Sequence, residues 1–390
     1  MGSSRAPLPA TAGRFRAIQL GCYRTAVPDW SNLLRAELAE LSSYVPADPP
    51  GIHVRLDANE APANPDARVR EVVTRAIERT PLERYPDARM RELKARIAER
   101  TRARPDELLI GTGSDEVIGI LLSAMAQPRP RAAQPVVVVP TPTFVMYRVT
   151  ARAHGYKPIE VPLDAKWDLD VGAMARAIEV TRPNLVFIAS PNNPTGNRMS
   201  DDRIAAVLEA ARDALVVVDE AYVDYAGDSL RAWRSRYPNL ALMRTLSKVG
   251  LAALRIGWIE ADEGLVVHLD KARQPFNVSA TSQAAAAAVL AEAWDEVRSH
   301  VDAIVRERER VSVALRDLSG VHVAPSHANF LWVATPRPAG QVFDSLISRG
   351  VLVRSFHAAG GRLANRLRVT IGAPSDNDRF IDALREAVAS

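Results

Sequence analysis

Five short apolar runs, each followed at once by a polar loop, constrain the fold of this chain more than any other feature. They are Leu108–Ile110, Val136–Val139, Leu185–Ala189, Leu215–Val218 and Leu240–Met243. Each is continuous rather than alternating, which fits a strand buried on both faces in a mainly parallel sheet. Helical spacing falls around them, at Met90–Arg100, Val117–Met125 and Asp202–Ala211. Ile256–Ile259 adds a further apolar run, and Ala280–Ala293, with its alanine tract Ala284–Ala288, reads as helix. A long charged helix follows at about Glu296–Leu318. The tail then reads as strand Asn329–Val333, helix Gln341–Ser348, strands Leu352–Ser355 and Arg366–Ile371, and a last helix from Asp376. The expected fold is α/β: a large unit with a mainly parallel central sheet, then a small α+β unit. Residues 81–293 form the expected large domain and 294–390 the small one, to which residues 29–80 contribute.

Composition narrows the class. A chain of 390 residues suggests two packed units, and 47% hydrophobic with 25% charged residues is a soluble globular profile. The net charge of +4 comes from 50 basic against 46 acidic side chains, mixed along the chain, so the pI of about 9.3 marks no nucleic-acid footprint. Cys22 is the single cysteine, which excludes an intrachain disulfide and a cysteine metal cluster and fits a reducing cytoplasm. No apolar run reaches membrane-spanning length. His53, His154, His322, His327 and His357 show no metal-ligand spacing. Residues 1–28 carry Arg5, Arg14, Arg16 and Arg24 with no acid and no apolar signal core. They read as a disordered extension or the product of an upstream start codon, with an organelle transit peptide as the alternative.

In an open α/β sheet, ligands bind outside the carboxyl ends of the strands. The five runs end respectively in Gly111–Glu116, Pro140–Phe144, Ser190–Gly196, Asp219–Tyr222 and Arg244–Lys248. A glycine turn, an aromatic, an amide, a carboxylate and a lysine thus converge on one crevice. Singly these are a turn, a loop, a helix cap and a surface lysine; together they match the needs of pyridoxal phosphate. Its aldehyde needs an amine, which Lys248 can supply as a Schiff base. Its pyridine nitrogen keeps a proton only beside a carboxylate, here Asp219. Asn193 and Tyr222 suit the ring oxygen, and Phe144 suits the ring face. The phosphate needs a helix start and a cation: Ser114 and Asp115 open a helix, and Ser247 and Arg255 complete the cradle.

The strings RTLSK…LR (Arg244–Arg255), SPNNPTG, DEAY, PTPTF and GTGSDE resemble the fold-type I pyridoxal-phosphate aminotransferases of class I/II. Within them the chain is most similar to the histidinol-phosphate aminotransferase family, from about Ser31 onward. Leu56–Glu60 and Arg84–Asp87 match that family's N-terminal motifs, and Gly350–Arg354 and Leu367–Gly372 its C-terminal ones. One departure is visible: Arg255 follows Lys248 with one residue fewer than in many members. The resemblance implies Lys248 as the Schiff-base lysine and general base. It implies Arg368 for the substrate carboxylate, Arg354 for the substrate phosphate, and Tyr44 and Asn59 near the substrate. It also implies a homodimer in which Tyr85 reaches the neighbouring subunit's cofactor phosphate.

The implied activity is transamination between L-histidinol phosphate and 2-oxoglutarate, giving glutamate, in histidine biosynthesis. The alternatives are an aromatic-amino-acid aminotransferase and a decarboxylase of a phosphorylated amino acid. A pyridoxal-phosphate-sensing regulator would need a DNA-binding unit, for which residues 1–28 are too few. No metal, nucleic acid or membrane is expected as a partner.

Overall fold

The computed structural model describes residues 30–35, 37, 38, 41, 45–64 and 66–389. The extension at residues 1–28, Cys22 and Tyr44 therefore lie outside the described residues. The strands are β1 (Val54–Leu56), β2 (Leu108–Thr112), β3 (Val136–Thr141), β4 (Lys157–Pro162), β5 (Leu185–Ala189), β6 (Leu215–Asp219), β7 (Leu240–Thr245) and β8 (Ile256–Glu260). They continue with β9 (His322–Val323), β10 (Phe330–Ala334), β11 (Val351–Ser355) and β12 (Arg366–Thr370). The helices are α1 (Ala67–Glu78), α2 (Arg91–Thr101), α3 (Gly113–Ala124), α4 (Met146–Ala153), α5 (Val171–Thr181) and α6 (Asp201–Ala210). After them come α7 (Val223–Ala226), α8 (Glu263–Ala272), α9 (Ala280–Glu292), α10 (Trp294–Arg316), α11 (Ala339–Ser348) and α12 (Pro374–Ala389).

A seven-stranded sheet has the order β2-β8-β7-β6-β5-β3-β4. Its apolar runs alternate between two cores: Val137, Phe187 and Val217 face one, and Val138, Ile188 and Val216 the other. Burial on both faces is why these strands read as continuous rather than alternating. The central pairs are parallel, but β8 is antiparallel to both β7 and β2. This reversal was not anticipated. It brings the start of β8, and Arg255 just before it, to the edge where the other strands end.

A five-stranded sheet, β1-β11-β12-β10-β9, carries the C-terminal elements, with β1 parallel to β11 and the other pairs antiparallel. Helix α10 contributes Val297, Val301, Ile304, Val311 and Leu315 to the core it shares with that sheet. The expected elements recur with their ends moved. Helix α3 starts at Gly113, four residues earlier than its apolar pattern begins, because its first turn is polar and serves a loop. The strands β1, β4 and β9 and the helices α1, α4, α5, α7 and α8 were not anticipated.

Candidate active site

The phosphate-type corner forms where β2 ends and β8 begins. Helix α3 starts at Gly113 with no side chain capping it, so its first-turn amides face the loop. The N–H of Gly113 donates to the Arg255 carbonyl at 2.8 Å. Gly113 lies at φ +77°, and a Cβ there would meet the Arg255 guanidinium at 2.6 Å. Gly257 is needed for the same close approach, since its Cβ would lie 2.4 Å from the Ser114 nitrogen. Arg255 Nη1 donates to Ser247 Oγ at 3.4 Å, and the Thr245 hydroxyl donates to the same oxygen at 3.0 Å. Asp115 stands 4.0 Å from Arg255 with both side chains about half exposed, a weak pair. A helix start, a serine hydroxyl and a guanidinium meet here, the inventory of an anion site.

Asp219, last residue of β6, is 5% exposed. Tyr147 donates its hydroxyl to Oδ2 at 2.5 Å and the Ala221 amide donates to Oδ1 at 2.9 Å. Neither partner is a cation. Burial pushes the carboxyl up to about 6, although the Tyr147 and Ala221 bonds and the charge of Lys248 pull it down. Tyr147 is raised well above its usual value, by burial first and then by Asp219. Its ring stacks on Phe187 at 4.8 Å and 3°, and Phe144 meets its edge at 5.5 Å. The adjacent Glu220 is taken up elsewhere, by Arg244 at 2.7 Å, Ser229 and the Leu230 amide. Of the two acids in DEAY, only Asp219 has no cation among its hydrogen-bond partners.

Lys248 sits in a single 3₁₀ turn, Ser247–Val249, and is half-buried. Tyr225 donates its hydroxyl to the Lys248 carbonyl at 2.6 Å, and Lys248 Nζ lies 5.8 Å from the centre of the Tyr222 ring. Asn59 donates Nδ2 to the Tyr222 hydroxyl at 2.8 Å. Asn59 is itself 1% exposed at φ 56°, tied by its amide to Thr370 Oγ1 and by its carbonyl to Asn329.

The two asparagines of SPNNPTG divide their work. Asn192 is fully buried and braces the loop, donating to the Pro142 carbonyl and to Thr195. Asn193 Oδ1 accepts from Arg368 Nη1 at 2.7 Å, so the group it can offer a ring oxygen is its N–H. Arg368 also donates to the Asp57 carbonyl. Arg354 is directly opposite Arg368 in the β11–β12 register and is exposed.

Lys248 faces the Tyr222 ring, Tyr222 bonds Asn59 and packs edge-on against Phe330, and Arg368 lies over Phe330 and bonds Asn193, while the charge of Lys248 acts on Asp219; Ser114, Asp115, Ser247 and Arg255 gather in an adjoining corner. Phe144 borders the Asp219 site through Tyr147. Tyr85 takes part in none of these contacts: it is 82% exposed and stacks on Phe276 at 4.8 Å. Sequence reasoning missed Tyr147, Tyr225 and Thr245. Tyr147 follows Phe144 by three positions, a helical spacing that could have marked it.

Residues 52–384 match the aminotransferase class I and II family, and the chain belongs to that family of pyridoxal-phosphate enzymes. Its relatives there include the histidinol-phosphate aminotransferase of Aquifex aeolicus, 35% identical over 92% of this chain and 99% of that one. The histidinol-phosphate aminotransferase of Methylibium petroleiphilum is 38% identical over 92% and 95%. Among solved structures, histidinol-phosphate aminotransferase from Sinorhizobium meliloti in complex with pyridoxal-5'-phosphate superposes with a TM-score of 0.78. It is 28% identical, with coverage of 87% of this chain and 91% of that one.

Proposed function

We propose that this aminotransferase moves the amino group of L-histidinol phosphate to 2-oxoglutarate, serves histidine biosynthesis, and works as a cytoplasmic homodimer. One observation carries the choice of donor: the β11–β12 register sets Arg354 beside Arg368 on one face of the sheet. Two arginines opposite each other on one sheet face favour a ligand that brings negative charge. A phosphorylated amine and a dicarboxylic keto acid each supply it. The names of the relatives point the same way.

The residues present fit the cofactor. Asp219 is a buried carboxylate lacking a cation partner and held near 6, so a protonated ring nitrogen would relieve it. The Gly113 corner is kept clear of any Cβ and faces a guanidinium, as a phosphate requires. Pyridoxal phosphate, when bound, supplies an aldehyde that takes the amino group and a ring that delocalises the electron pair left by a departing proton.

Lys248 Nζ would hold the aldehyde carbon until the donor's amine displaces it; the freed amine would then take the proton from the donor's amine-bearing carbon and deliver it to the former aldehyde carbon. Tyr225, by gripping the Lys248 carbonyl, fixes the turn from which that amine reaches. Asp219 would keep the ring nitrogen protonated, with Tyr147 holding its carboxylate in place. Asn193 and Tyr222 would donate to the ring oxygen, and Phe144 would cover the ring. The amides of Ser114 and Asp115 would hold the phosphate with Ser247 and Arg255. Arg368 would take the keto-acid carboxylate and Arg354 the donor phosphate, with Asn59, and on the family resemblance Tyr44, bordering them. The exposed Tyr85–Phe276 stack, with Leu82 80% exposed nearby in sequence, supports a subunit boundary at this surface. Among the described residues no helix is long and apolar enough to cross a membrane.

The test is direct. Purified protein loaded with pyridoxal phosphate is mixed with histidinol phosphate alone. The expected result is bleaching of the visible band with one keto product per site, restored by 2-oxoglutarate with formation of glutamate. Release of carbon dioxide from a phosphorylated amino acid, with no keto product, would favour a decarboxylase instead.

A further inference from the structure

Trp167 carries no role in the site described above, yet its placement is costly. It lies at φ 66°, a left-handed conformation that bulky residues rarely adopt. The turn that holds it is braced on all sides. The Asp164 carboxylate accepts from the amides of Lys166 and Asp168, and Arg203 pairs with Asp164 at 2.6 Å and with Asp168 at 3.4 Å. The Trp167 carbonyl accepts from Asn197 Nδ2 at 3.0 Å, at the end of the loop that carries Asn193. Backbone and carbonyl are therefore fixed to the seven-stranded unit.

The ring points to the other unit. Arg362 lies 4.0 Å over it and donates through both Nη atoms to the Leu163 and Asp164 carbonyls at 2.8 and 2.6 Å. Arg366 lies 5.5 Å from the same ring and 5.9 Å from that of Trp332. Trp332 meets Trp167 edge to face at 6.1 Å and stands directly opposite Arg368 in the β10–β12 register. Arg366 and Arg368 are two apart on β12 and share a face. Burial, and then the charge of Arg362, lowers the Arg366 guanidinium. Aromatic faces are what make such a pair of cations tolerable.

We propose that Arg362, Arg366 and Trp167 form a clamp between the two sheet units that sets the depth of Arg368, making Arg362 and Trp167 positioning residues for the acidic substrate. Arg368 reaches Asn193 by its own 2.7 Å bond. The clamp is a second bridge between the same two elements: from β12 through the Trp167 ring, then through Asn197 to the Asn193 loop. With the Arg368 bond to the Asp57 carbonyl, the clamp constrains β12 against the Asn193 loop at more than one point. An α-carboxylate that must meet Arg368 while its neighbouring carbon faces Lys248 depends on the resulting orientation. The clamp rests on the carboxylate role proposed for Arg368.

The experiment uses cofactor-loaded full-length protein and glutamate, whose conversion of the visible band gives an apparent dissociation constant and a saturating rate. Calorimetric binding of 2-oxoglutarate, which cannot react with the loaded form, reads the same site without turnover. Arg362→Ala and Trp167→Ala should each weaken both ligands about tenfold, as loss of a well-packed cation–π contact implies. The saturating rate should stay within about twofold, and the double variant should lose no more than the worse single one. Trp167→Phe, which keeps a ring, should recover most of the affinity, and Arg362→Lys, which keeps only the charge, should recover part. Thermal unfolding of each variant separates this from general loosening. Unchanged affinity in Arg362→Ala and Trp167→Ala, additive losses, or a lowered saturating rate at constant affinity would each overturn the clamp. Arg368→Gln is run alongside. If it binds glutamate normally, the carboxylate role fails and the clamp with it; if it binds weakly while Arg362→Ala binds normally, only the clamp fails.

Discussion

Replacing Asp219 with asparagine should stabilise the empty protein and destabilise the loaded one. The folded carboxyl titrates near 6, against an ordinary 3.8, chiefly because it is buried. Between those two values the folded chain binds more protons than the unfolded chain, so stability falls as pH rises through the window and stays lowered above it. At about 1.36 kcal/mol per decade, the ionised Asp219 costs the empty protein about 3 kcal/mol near pH 8. Asparagine removes that cost, keeps an acceptor for the Ala221 amide, and lets the Tyr147 hydroxyl turn to accept. The buried Tyr147 hydroxyl loses its acceptor in the exchange, which costs about 1 kcal/mol. The net expectation for the stripped variant is a gain of about 2 kcal/mol near pH 8, vanishing or turning into a small loss near pH 4, where the wild-type carboxyl is itself protonated. With cofactor bound, the ring-nitrogen cation already compensates the wild-type charge, so the variant should then be the less stable of the two and turn over far more slowly. Denaturant unfolding of stripped and saturated proteins at the two pH values measures all four states. A stripped variant that is less stable than wild type by the same amount at both pH values would refute the reasoning.

Four further outcomes are expected. Lys248→Ala should fold, shown by an unchanged far-ultraviolet spectrum, and lose turnover altogether; appreciable transaminase activity would end its assignment. Gly113→Ala should weaken pyridoxal-phosphate retention about tenfold by equilibrium dialysis, because the new Cβ displaces the Arg255 guanidinium and the positive φ adds about 1 kcal/mol of strain. Arg354→Gln should lower kcat/KM for histidinol phosphate about tenfold, the lower end for a charge-assisted bond since Arg354 is exposed, and leave any phenylalanine turnover nearly untouched. Sedimentation should give a dimer, and Tyr85→Ala should weaken phosphate-dependent cofactor retention only if the dimer is intact; an active monomer would remove that surface from the account.

The strands that position the site could be read from the residues because burial on both faces leaves an unbroken apolar run, as in Val136–Val139 and Leu215–Val218. The polar residues following them were legible for the same reason: a strand end in such a sheet has one place to go. The missed edge strand β4, Lys157–Pro162, has charges and two prolines, which an edge tolerates and a run-based reading passes over. The direction of β8 was hidden too, since Ile256–Glu260 looks alike read either way. Only the absence of a crossover helix after Thr245 hinted that it turns back. Helix α1 is arginine-rich, with only Val69 and Val72 buried, so its apolar signal is thin. In the site, Arg354 and Arg368 could be named separately, but their pairing depends on a register that no local pattern encodes. The same holds for Trp167, whose partners come from a segment almost two hundred residues away.

The central claim is the choice of donor, and its most direct test is a competition of substrates on one preparation. With saturating 2-oxoglutarate, glutamate formation gives kcat/KM for L-histidinol phosphate, its dephosphorylated form L-histidinol, and L-phenylalanine. Histidinol phosphate should lead histidinol by at least about tenfold, the worth of one charge-assisted phosphate contact, and that lead should collapse in Arg354→Gln. Equal kcat/KM for histidinol phosphate and histidinol, or a preference for phenylalanine, would contradict the proposal and make a broader aromatic aminotransferase the better account.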